Sequence, residues 1–403
     1  MLGISYTYLL TAQVTLLISM IRNILKLALL YTVISQSCLS IMADPEKPFI
    51  HPGMLHSNAE LDFIKGKITS EEEPWKSAWE QLRSAKEASL TYTPNPVPDV
   101  VRGPRNRPDT GSSNMSNDAA AAYAHALQWS LTGKQAHAAK VIEILNAWSG
   151  TLKSVGGHDA KLLIGMNGIS FCNAAELIRH TNDQWKPADQ KQFERMLRDV
   201  FYPNIKDFYP TANGNWDASM IQTMIAMAIF LDDHSMFKKA ITYFQSGQGN
   251  GAITKYLNHF GECQESGRDQ VHTQMGLGFL SCTCEMAWKQ GIDLYGVANN
   301  RLALGFEYTA KYNLGEDVPF EPYESVGGRY HYDQISTKAR GRFRPIFERT
   351  IHHYHHRKGL EMPYSRKVTK AKRPEAPHIQ HISWGTLMYY RSPSDIHPAK
   401  GKE

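Results

Sequence analysis

Apolar residues recur at three- and four-residue spacing through most of the chain beyond Asp118, as in helices that bury one face. The segments predicted to be helical are Ala119–Trp129, His137–Trp148, 168–180, 187–202, 216–231, 234–245, 251–259, 268–290, 297–313 and 346–358. Successive helices are joined by short polar links without alternating strand patterns between them. The sequence therefore predicts an all-α fold, an α/α toroid or incomplete α/α barrel built from helical hairpins.

Two segments interrupt this helical pattern. Residues 44–115 are rich in proline and polar groups, so we expect an irregular and partly helical N-terminal segment that packs on the toroid. Residues 315–345 combine prolines, glycines and aromatic residues, which predicts a long lid-like loop over the groove. The toroid itself is then expected over residues 116–403, ending in a basic tail.

The first 43 residues differ in composition from the rest of the chain. Read from Met20, they have the order of a signal peptide: basic residues come first, residues 25–34 are apolar, and Ala43 offers a cleavage point. A membrane anchor and a lipoprotein modified at Cys38 are the alternatives. The sequence predicts a secreted or periplasmic protein without stable membrane insertion after cleavage of this leader.

The charge of the chain limits the kinds of molecule that it is expected to bind. A formal net charge of +5 over 403 residues is mild, and no basic stripe of the kind that binds nucleic acid is present. Its sign is compatible with an anionic polysaccharide.

Beyond the leader, the cysteines are too few and too unevenly spaced for a disulfide scaffold or a zinc site. We expect buried thiols, with one bridge from Cys263 to Cys282 or Cys284 as the alternative. The four cysteines are Cys172, Cys263, Cys282 and Cys284.

The densest polar cluster lies over residues 264–274, just before an apolar helix face. Arg268 and His272 are four residues apart, so they project from one face near the start of the helix. This spacing places a cation beside a potential base, and Gln270 between them is a candidate for binding substrate. A surface arginine and a core histidine held by hydrogen bonds are the simpler interpretation.

A second cluster, Asn213-Gly214-Asn215-Trp216-Asp217, precedes another apolar helix. Helix capping by Asn215 or Asp217 explains one side chain of this cluster. Trp216 offers an apolar face on which a sugar ring can stack, although it also suits a core. Asn213 and Trp216 are candidates for binding substrate, and Asn215 is a candidate catalytic donor.

The lid-like loop carries a third cluster. Tyr330 adjoins Arg329, and a nearby cation lowers the pKa of a tyrosine, so Tyr330 is a candidate acid or base. Arg329, Tyr332 and Arg342 are candidates for binding substrate. The tract His352–His356 has the residue type of a metal site, but helical spacing spreads its histidines and acidic partners are not nearby. We therefore expect a solvated or supporting face there, no metal and no cofactor.

In these strings the sequence resembles the alginate-lyase-domain superfamily of polysaccharide lyases. The resemblance covers roughly residues 115–350, and its strings occur in the right order. They are Asn213–Met220, Gly267–Gly278, Glu285–Tyr295 and Gly305–Gly315. Within the superfamily, the chain is most similar to the branch associated with polymannuronate, mixed alginate or glucuronan.

The resemblance implies an α/α toroid with an open groove and metal-independent β-elimination. Better-known lyases of similar fold carry an Asn-His pair before a tryptophan, and an arginine followed on the same helix by a tyrosine. Here the first string lacks the histidine, and His272 stands where a tyrosine is sought. The resemblance therefore assigns Asn215 and Arg268 to the substrate carboxylate. Proton transfer falls to His272 and to a loop tyrosine, which we take as Tyr330. The other candidate tyrosines are Tyr308, Tyr312, Tyr323 and Tyr332.

β-Elimination from a uronate explains why such groups are required. The reaction removes the proton on C5 and expels the oxygen on C4, and negative charge develops on the carboxylate oxygens. Donors held at those oxygens act like an oxyanion hole. A base must reach C5 and an acid must reach the leaving oxygen. The products carry a C4–C5 double bond that absorbs near-ultraviolet light.

Two other functions compete with this interpretation. A glycoside hydrolase on a similar toroid requires two carboxylates that flank the bond, and no pair stands out among Asp217, Glu265 and Asp269. A secreted carbohydrate-binding protein without activity is the second alternative. The sequence leaves open the preference among mannuronate, guluronate and glucuronate, and endo or exo action.

Overall fold

The structure, a computed structural model, describes residues 47–396, so the expected leader lies outside the described residues. The described chain begins with α1 (Asn58–Thr69) and α2 (Trp75–Ser84). Ser57 caps α1 in a reciprocal pair with Glu60, as its Ser-x-x-Glu sequence dictates. The proline-rich stretch that follows contains β1 (Asp99–Arg102) and β2 (Asp109–Thr110).

The main body is a series of helical hairpins. In each hairpin a long inner helix is followed by an outer helix, and consecutive inner helices pack on one another. The inner helices are α3 (Ser112–Thr132), α5 (Ala160–Thr181), α8 (Gly214–Phe230) and α11 (Gln270–Lys289). The remaining elements of this body are α4 (Gln135–Thr151), α6 (Pro187–Met196), a π-helical turn (Leu197–Phe201), α7 (Tyr202–Ile205), α9 (His234–Ser246), α10 (Ile253–Tyr256) and α12 (Val297–Asn313).

Side-chain patterns separate the inner helices from the outer ones. Nearly every residue of α8 is buried, as expected for a helix with neighbours on all sides. The outer helix α9 instead buries one stripe, which includes Phe237, Ile241 and Phe244. Asp233 caps α9 by accepting a hydrogen bond from the backbone of Met236.

The inner helices run parallel, and two glycines set how closely they approach. A Cβ atom on Gly165 would lie 2.3 Å from the Ser219 hydroxyl, and one on Gly168 would lie 2.4 Å from a methyl of Thr223. The later residue of α5 contacts the later residue of α8, so the two helices run in the same direction. The starts of the inner helices therefore meet at one end of the ring, which we call the groove end.

The C-terminal region closes the ring against the N-terminal helices. The final helices are α13 (Phe347–Ile351), a π-helical turn (His352–Arg357), α14 (Pro363–Lys372), α15 (Gly385–Tyr389) and α16 (Pro393–Ile396). Helix α15 packs on α1, α2 and α13, and the Tyr389 hydroxyl donates to the carbonyl of Leu55 over 3.3 Å. This ring of helical hairpins confirms the predicted α/α toroid.

Two small sheets lie among the helices. Strand β1 pairs antiparallel with β2 and parallel with β3 (Ser154–Gly156). In the lid-like loop, β4 (Tyr323–Glu324) and β5 (His331–Tyr332) form an antiparallel hairpin in which Tyr323 lies opposite Tyr332. The loop predicted over residues 315–345 is thus partly ordered as a hairpin, which we call the lid hairpin (residues 323–332).

The burial of cysteine and histidine side chains corrects two expectations from the sequence. All four cysteines within residues 47–396 are buried free thiols, so the alternative of a bridge from Cys263 is wrong. His352 and His353 are also buried, and the ring of His353 stacks on Tyr295 at 3.8 Å. The expectation of a solvated face for this tract is wrong for these two histidines, because they pack inside the ring. None of the helices described is long and apolar enough to cross a membrane.

Candidate active site

The start of α11 is organised by Asp269, which caps the helix. Its carboxylate accepts hydrogen bonds from the backbone amides of Val271 and His272, at 3.0 and 2.8 Å. The same carboxylate contacts Nδ1 of His272 at 2.8 Å. Burial acts to raise the pKa of Asp269, but the hydrogen bonds and charge of His272, together with the charge of Arg268, hold that pKa at about 2. Asp269 is therefore ionised and fixes the imidazole ring.

Arg268 lies between an acid and a base. Its Nη1 donates to Glu265 Oε1 over 2.7 Å, and its Nη2 contacts Nε2 of His272 over 3.1 Å. The side chains of Arg268 and His272 are each 29% exposed. The predicted cation beside a potential base is thus present, and both groups face solvent at the starts of the inner helices.

Glu265 is the buried hydrogen-bond partner of Arg268. It is fully buried, and its Oε2 accepts hydrogen bonds from the backbone amide of Asn215 and from the Tyr256 hydroxyl, each over 3.1 Å. Burial raises the pKa of Glu265, although the charges of Arg268 and His272 act in the opposite direction. This residue links α8 to the segment before α11. The sequence suggested it only as a carboxylate for the hydrolase alternative, although its spacing of three from Arg268 predicts contact on one face.

The lid hairpin brings Tyr332 over the start of α11. A Cβ atom on Gly267 would lie 2.3 Å from the Cβ of Tyr332, so glycine makes this contact possible. Burial raises the pKa of Tyr332 to about 12, and the nearby charge of Arg268 opposes this only in part. The Tyr332 side chain is therefore a protonated phenol beside the Arg268 guanidinium at neutral pH.

Tyr330 lies on the same face of the hairpin, two residues earlier in the strand direction. It contacts Arg329, whose guanidinium is 5.4 Å from the Tyr330 ring centre and donates to the Tyr209 hydroxyl over 3.4 Å. Among residues 47–396, the hydroxyl groups of Tyr330 and Tyr332 make no hydrogen bond. Of the other candidate tyrosines, Tyr308 donates to the carbonyl of Pro319 and Tyr323 to that of Lys255, while Tyr312 is buried with the guanidinium of Arg340 4.0 Å from its ring centre.

An aromatic wall continues the site towards α5. Trp216 is half-buried between the rings of His158 and Tyr209, each 5.5 Å from it between ring centres and nearly perpendicular to it. Lys161 also approaches Tyr209, with its Nζ 5.7 Å from the ring centre. The structure thus places Trp216 at the groove end, and it adds His158, Lys161 and Tyr209, which lie in separate segments of the sequence.

One residue predicted to bind substrate, Gln270, instead holds the segment after the lid hairpin. Gln270 is buried, donates to the carbonyl of Ser336 over 3.1 Å, and accepts from Asn313 over 2.9 Å. The exposed side chain of Arg342 remains free to meet substrate, while its backbone carbonyl accepts from Gln274 over 2.9 Å. The structure gives Gln270 a supporting role, because its side-chain hydrogen bonds are made within the protein.

Asn213 and Asn215 are likewise buried. The Oδ1 atom of Asn213 accepts from Gln264 over 3.0 Å. The side chain of Asn215 is fully buried, with its Nδ2 3.4 Å from the sulfur of Met275. As positioned, neither amide reaches the groove surface, because Asn213 faces the segment before α11 and Asn215 lies between α8 and α11. The structure therefore does not bring Asn215 together with Arg268, His272 and Tyr332 at the surface.

The groove end of the ring carries further polar groups and helix starts beyond these residues. Helix starts carry partial positive charge, and four inner helices begin here. A cavity of about 410 Å³ lies between the starts of α3 and α5, with Arg102, Asn106 and Gln380 among its lining residues. Within residues 47–396, the buried Nη1 of Arg102 has no hydrogen-bond partner.

Solved structures of similar fold are alginate lyases. One, from Bacteroides ovatus, has 13% identity and a TM-score of 0.62, and the match covers 85% of this chain and all of the other. Alginate lyase A1-III from Sphingomonas species A1 has 14% identity and a TM-score of 0.62, over 87% of this chain and 99% of the other. A variant of that enzyme complexed with a tetrasaccharide gives 0.60 at the same identity and coverage. At these identities the likeness shows the fold.

The assignment to a family rests on the sequence. No curated protein matches the chain. The model of the alginate lyase family matches residues 65–319, which include α1 to α12 apart from the first residues of α1, and the whole of the Arg268–His272 cluster. Because this match spans more than half of the chain, the protein belongs to the alginate lyase family and is a polysaccharide lyase.

Proposed function

We propose that this lyase cleaves an anionic uronate polysaccharide at the groove end of the toroid, with Arg268, His272 and Tyr332 as its catalytic residues. The observation that carries the proposal is the chain of contacts from Asp269 through His272 to Arg268. It joins an ionised carboxylate, an imidazole and a guanidinium on one partly exposed surface. These are the groups that proton removal next to a carboxylate requires.

Arg268 receives the substrate carboxylate. A guanidinium binds a carboxylate through two parallel hydrogen bonds, and this contact strengthens as charge develops on the carboxylate oxygens during C5–H cleavage. Glu265 holds Nη1 in place, so the exposed edge of the guanidinium is oriented before substrate arrives. Glu265 is therefore a positioning residue.

His272 is the base. Arginine has only donors, so the Nε2 atom that contacts Arg268 carries the lone pair, and the proton lies on Nδ1 towards Asp269. When the substrate carboxylate takes over Nη2 of Arg268, Nε2 of His272 becomes available to C5. Asp269 then stabilises the imidazolium that forms.

Tyr332 is the acid. With a pKa of about 12 it keeps its proton at neutral pH, and its hydroxyl is free to donate to the leaving oxygen. In the complete step, the C5–H bond breaks to His272 and its electron pair forms the C4–C5 double bond. The C4–O bond breaks, and the leaving oxygen takes the proton of Tyr332. We prefer Tyr332 to Tyr330, because Tyr332 packs on Gly267 beside Arg268.

The substrate is proposed to be alginate or glucuronan. Support comes from the partly exposed Arg268 at the groove end and from the half-exposed Trp216, on which a sugar ring can stack. The related Sphingomonas enzyme complexed with a tetrasaccharide shows an oligosaccharide bound to a protein of this fold. Arg329 and Arg342, both exposed, provide further cationic contacts at the lid hairpin and after it.

The test is an assay of purified protein on polymannuronate, polyguluronate and glucuronan, monitored by the absorbance of the C4–C5 double bond. We expect at least one polymer to give this absorbance, and Arg268→Ala to lower kcat/KM on it by about 10²–10³-fold. Arg366→Ala, on exposed surface of α14, is the control and should retain activity. Unsaturated products formed equally fast by folded Arg268→Ala would contradict the proposed site.

We also propose export of the protein with cleavage after Ala43. The order of basic, apolar and cleavage-site residues before Asp44 supports this. Mass spectrometry of the protein recovered from its natural compartment should find a mature chain beginning at Asp44. Recovery of soluble chains that retain residues 20–43 would overturn the proposal.

A further inference from the structure

A second cluster of ligating side chains lies at the other end of the inner helices. His51 and Glu176 approach with Nδ1 and Oε1 2.8 Å apart, and Nε2 of His180 lies 3.5 Å from Oε2 of Glu176. One ligating atom from each of these three side chains lies within 4.8 Å of the other two. Asp232 contacts the remaining nitrogen of His51, Nε2, at 3.1 Å.

We propose that His51, Glu176 and His180 bind a divalent transition-metal ion such as Zn²⁺. Two imidazoles and one carboxylate form a common zinc ligand set that leaves a further position for water. Zinc bonds of about 2.0–2.2 Å put ligand atoms roughly 3.3 Å apart in a tetrahedron. The separations of 2.8 Å from His51 to Oε1 and 3.5 Å from His180 to Oε2 lie on either side of that value, so the two imidazoles approach the two oxygens of one carboxylate.

The surroundings of the cluster support a ligand. Glu176 is 1% exposed, and among residues 47–396 its Oε2 atom has no hydrogen-bond partner. Burying a carboxylate oxygen without a partner is costly, and a cation next to it removes this cost. Its other oxygen, Oε1, accepts from the backbone of Gly53 over 3.2 Å.

Asp232 has the position of a residue that orients a metal ligand. A histidine bound to metal through one nitrogen usually donates its other N–H to a carboxylate, which fixes the tautomer. In the metal-bound state, the His51 proton would lie on Nε2 towards Asp232, and the lone pair of Nδ1 would face the ion beside Glu176. The rings of His51 and His180 are stacked 4.2 Å apart, so both present a nitrogen to the same carboxylate.

The location indicates a structural function for the ion. Glu176 and His180 are one turn apart near the end of α5, whereas His51 belongs to the segment before α1. Bound metal would clasp this N-terminal segment to the toroid, next to the existing bond from the Leu55 amide to Asn173. Because the cluster lies at the end of α5 opposite to the groove, the ion does not act on the polysaccharide.

The test measures zinc directly. Full-length purified protein is treated with a chelator, dialysed, and titrated with Zn²⁺ by calorimetry and elemental analysis. We expect one tightly bound ion per chain and a rise of the melting temperature by a few degrees. Ca²⁺, which prefers all-oxygen sites, should produce neither effect.

Variants locate the ion. His180→Gln should abolish stoichiometric binding and the thermal shift, while Asp232→Asn should weaken binding by about 10–100-fold. His234→Gln is the matched control, since His234 stacks on Phe49 nearby but is not part of the cluster. Retained lyase activity of His180→Gln shows that the variant is folded. Absence of stoichiometric zinc in the wild type, or unchanged zinc affinity in folded His180→Gln, overturns the proposal.

Discussion

In the active site, Nη2 of Arg268 donates a hydrogen bond to Nε2 of His272 over 3.1 Å. The group proposed to bind the substrate carboxylate therefore covers the lone pair of the proposed base. A substrate without a carboxylate leaves this contact in place. Binding of a uronate and exposure of the base are thus coupled, so a neutral polysaccharide of similar shape should not be cleaved.

Removal of the base should abolish most turnover. We expect His272→Ala to lower kcat by about 10²–10⁴-fold, the usual contribution of a proton-transfer group, with a smaller change in KM. The measurement is steady-state kinetics on the best polymer, with circular dichroism to confirm folding. His331→Ala, in the exposed part of the lid hairpin, is the matched histidine control. A folded His272→Ala enzyme with nearly wild-type kcat would exclude His272 as the base.

The two tyrosines of the lid hairpin should differ in effect. Tyr332→Phe removes only the proposed acid and should lower kcat by about 10²–10⁴-fold. Tyr330→Phe should change kcat less than tenfold, because Tyr330 faces Arg329 and lies further along the hairpin. Both variants should be assayed on polymannuronate and polyguluronate, whose C5 protons lie on opposite ring faces. If Tyr330→Phe lowered kcat more than Tyr332→Phe on every cleaved polymer, Tyr330 and not Tyr332 would be the acid.

Loss of the Gln270 anchor should loosen the segment after the lid hairpin. Gln270→Ala leaves the carbonyl of Ser336 and the amide of Asn313 without their partner, at a cost of about 1–3 kcal/mol. We expect faster amide hydrogen exchange over residues 334–344 and a lower kcat/KM. Gln334→Ala, exposed in the same segment, should show neither effect. Unchanged hydrogen exchange in Gln270→Ala would show that other contacts hold this segment.

Glu262 should make stability depend on pH near neutrality. Burial raises the pKa of this carboxyl from 4.5 to about 7. The hydrogen bond that Glu262 accepts from the backbone amide of Glu321 over 2.9 Å lowers the pKa and so limits this rise. Since the folded-state pKa is the higher one, the stability contribution is complete below about pH 4.5 and is lost as pH rises through about 7. Glu262→Gln should therefore stabilise the protein by on the order of 1–3 kcal/mol at pH 8, and little at pH 5.

The measurement for Glu262 is the melting temperature across this pH range. Glu361→Gln, which alters an exposed carboxylate, is the control and should follow the wild type. A constant difference between Glu262→Gln and the wild type from pH 5 to pH 8 would show that the Glu262 carboxyl titrates normally.

Periodicity in the sequence predicted where most of the helices lie, although α3 and α5 begin seven and eight residues before the predicted starts at Ala119 and Gly168. The segment 234–245 is found as His234–Ser246, and 297–313 is found unchanged. Local spacing also placed Arg268 beside His272, because residues four apart share a helix face. These features depend on neighbouring residues, so the sequence contains them directly.

Features that join distant segments could not be predicted in this way. Tyr332 reaches Gly267 through a hairpin, and strand β1 pairs with β3 although 50 or more residues separate them. The burial of Asn215 and Gln270 depends on how closely α8, α11 and the lid segment pack. The same holds for His51 and Glu176, which are 125 residues apart.

The parallel inner helices also determine how the enzyme can be attached to a support. Helix α8 has 17 residues, and a rise of about 1.5 Å per residue separates its two ends by roughly 25 Å. Asp183, exposed just beyond the end of α5, lies at the end away from the groove. Coupling through a cysteine introduced by Asp183→Cys should therefore leave the groove open to long polymers in solution, and the immobilised enzyme should depolymerise viscous substrate as the free enzyme does.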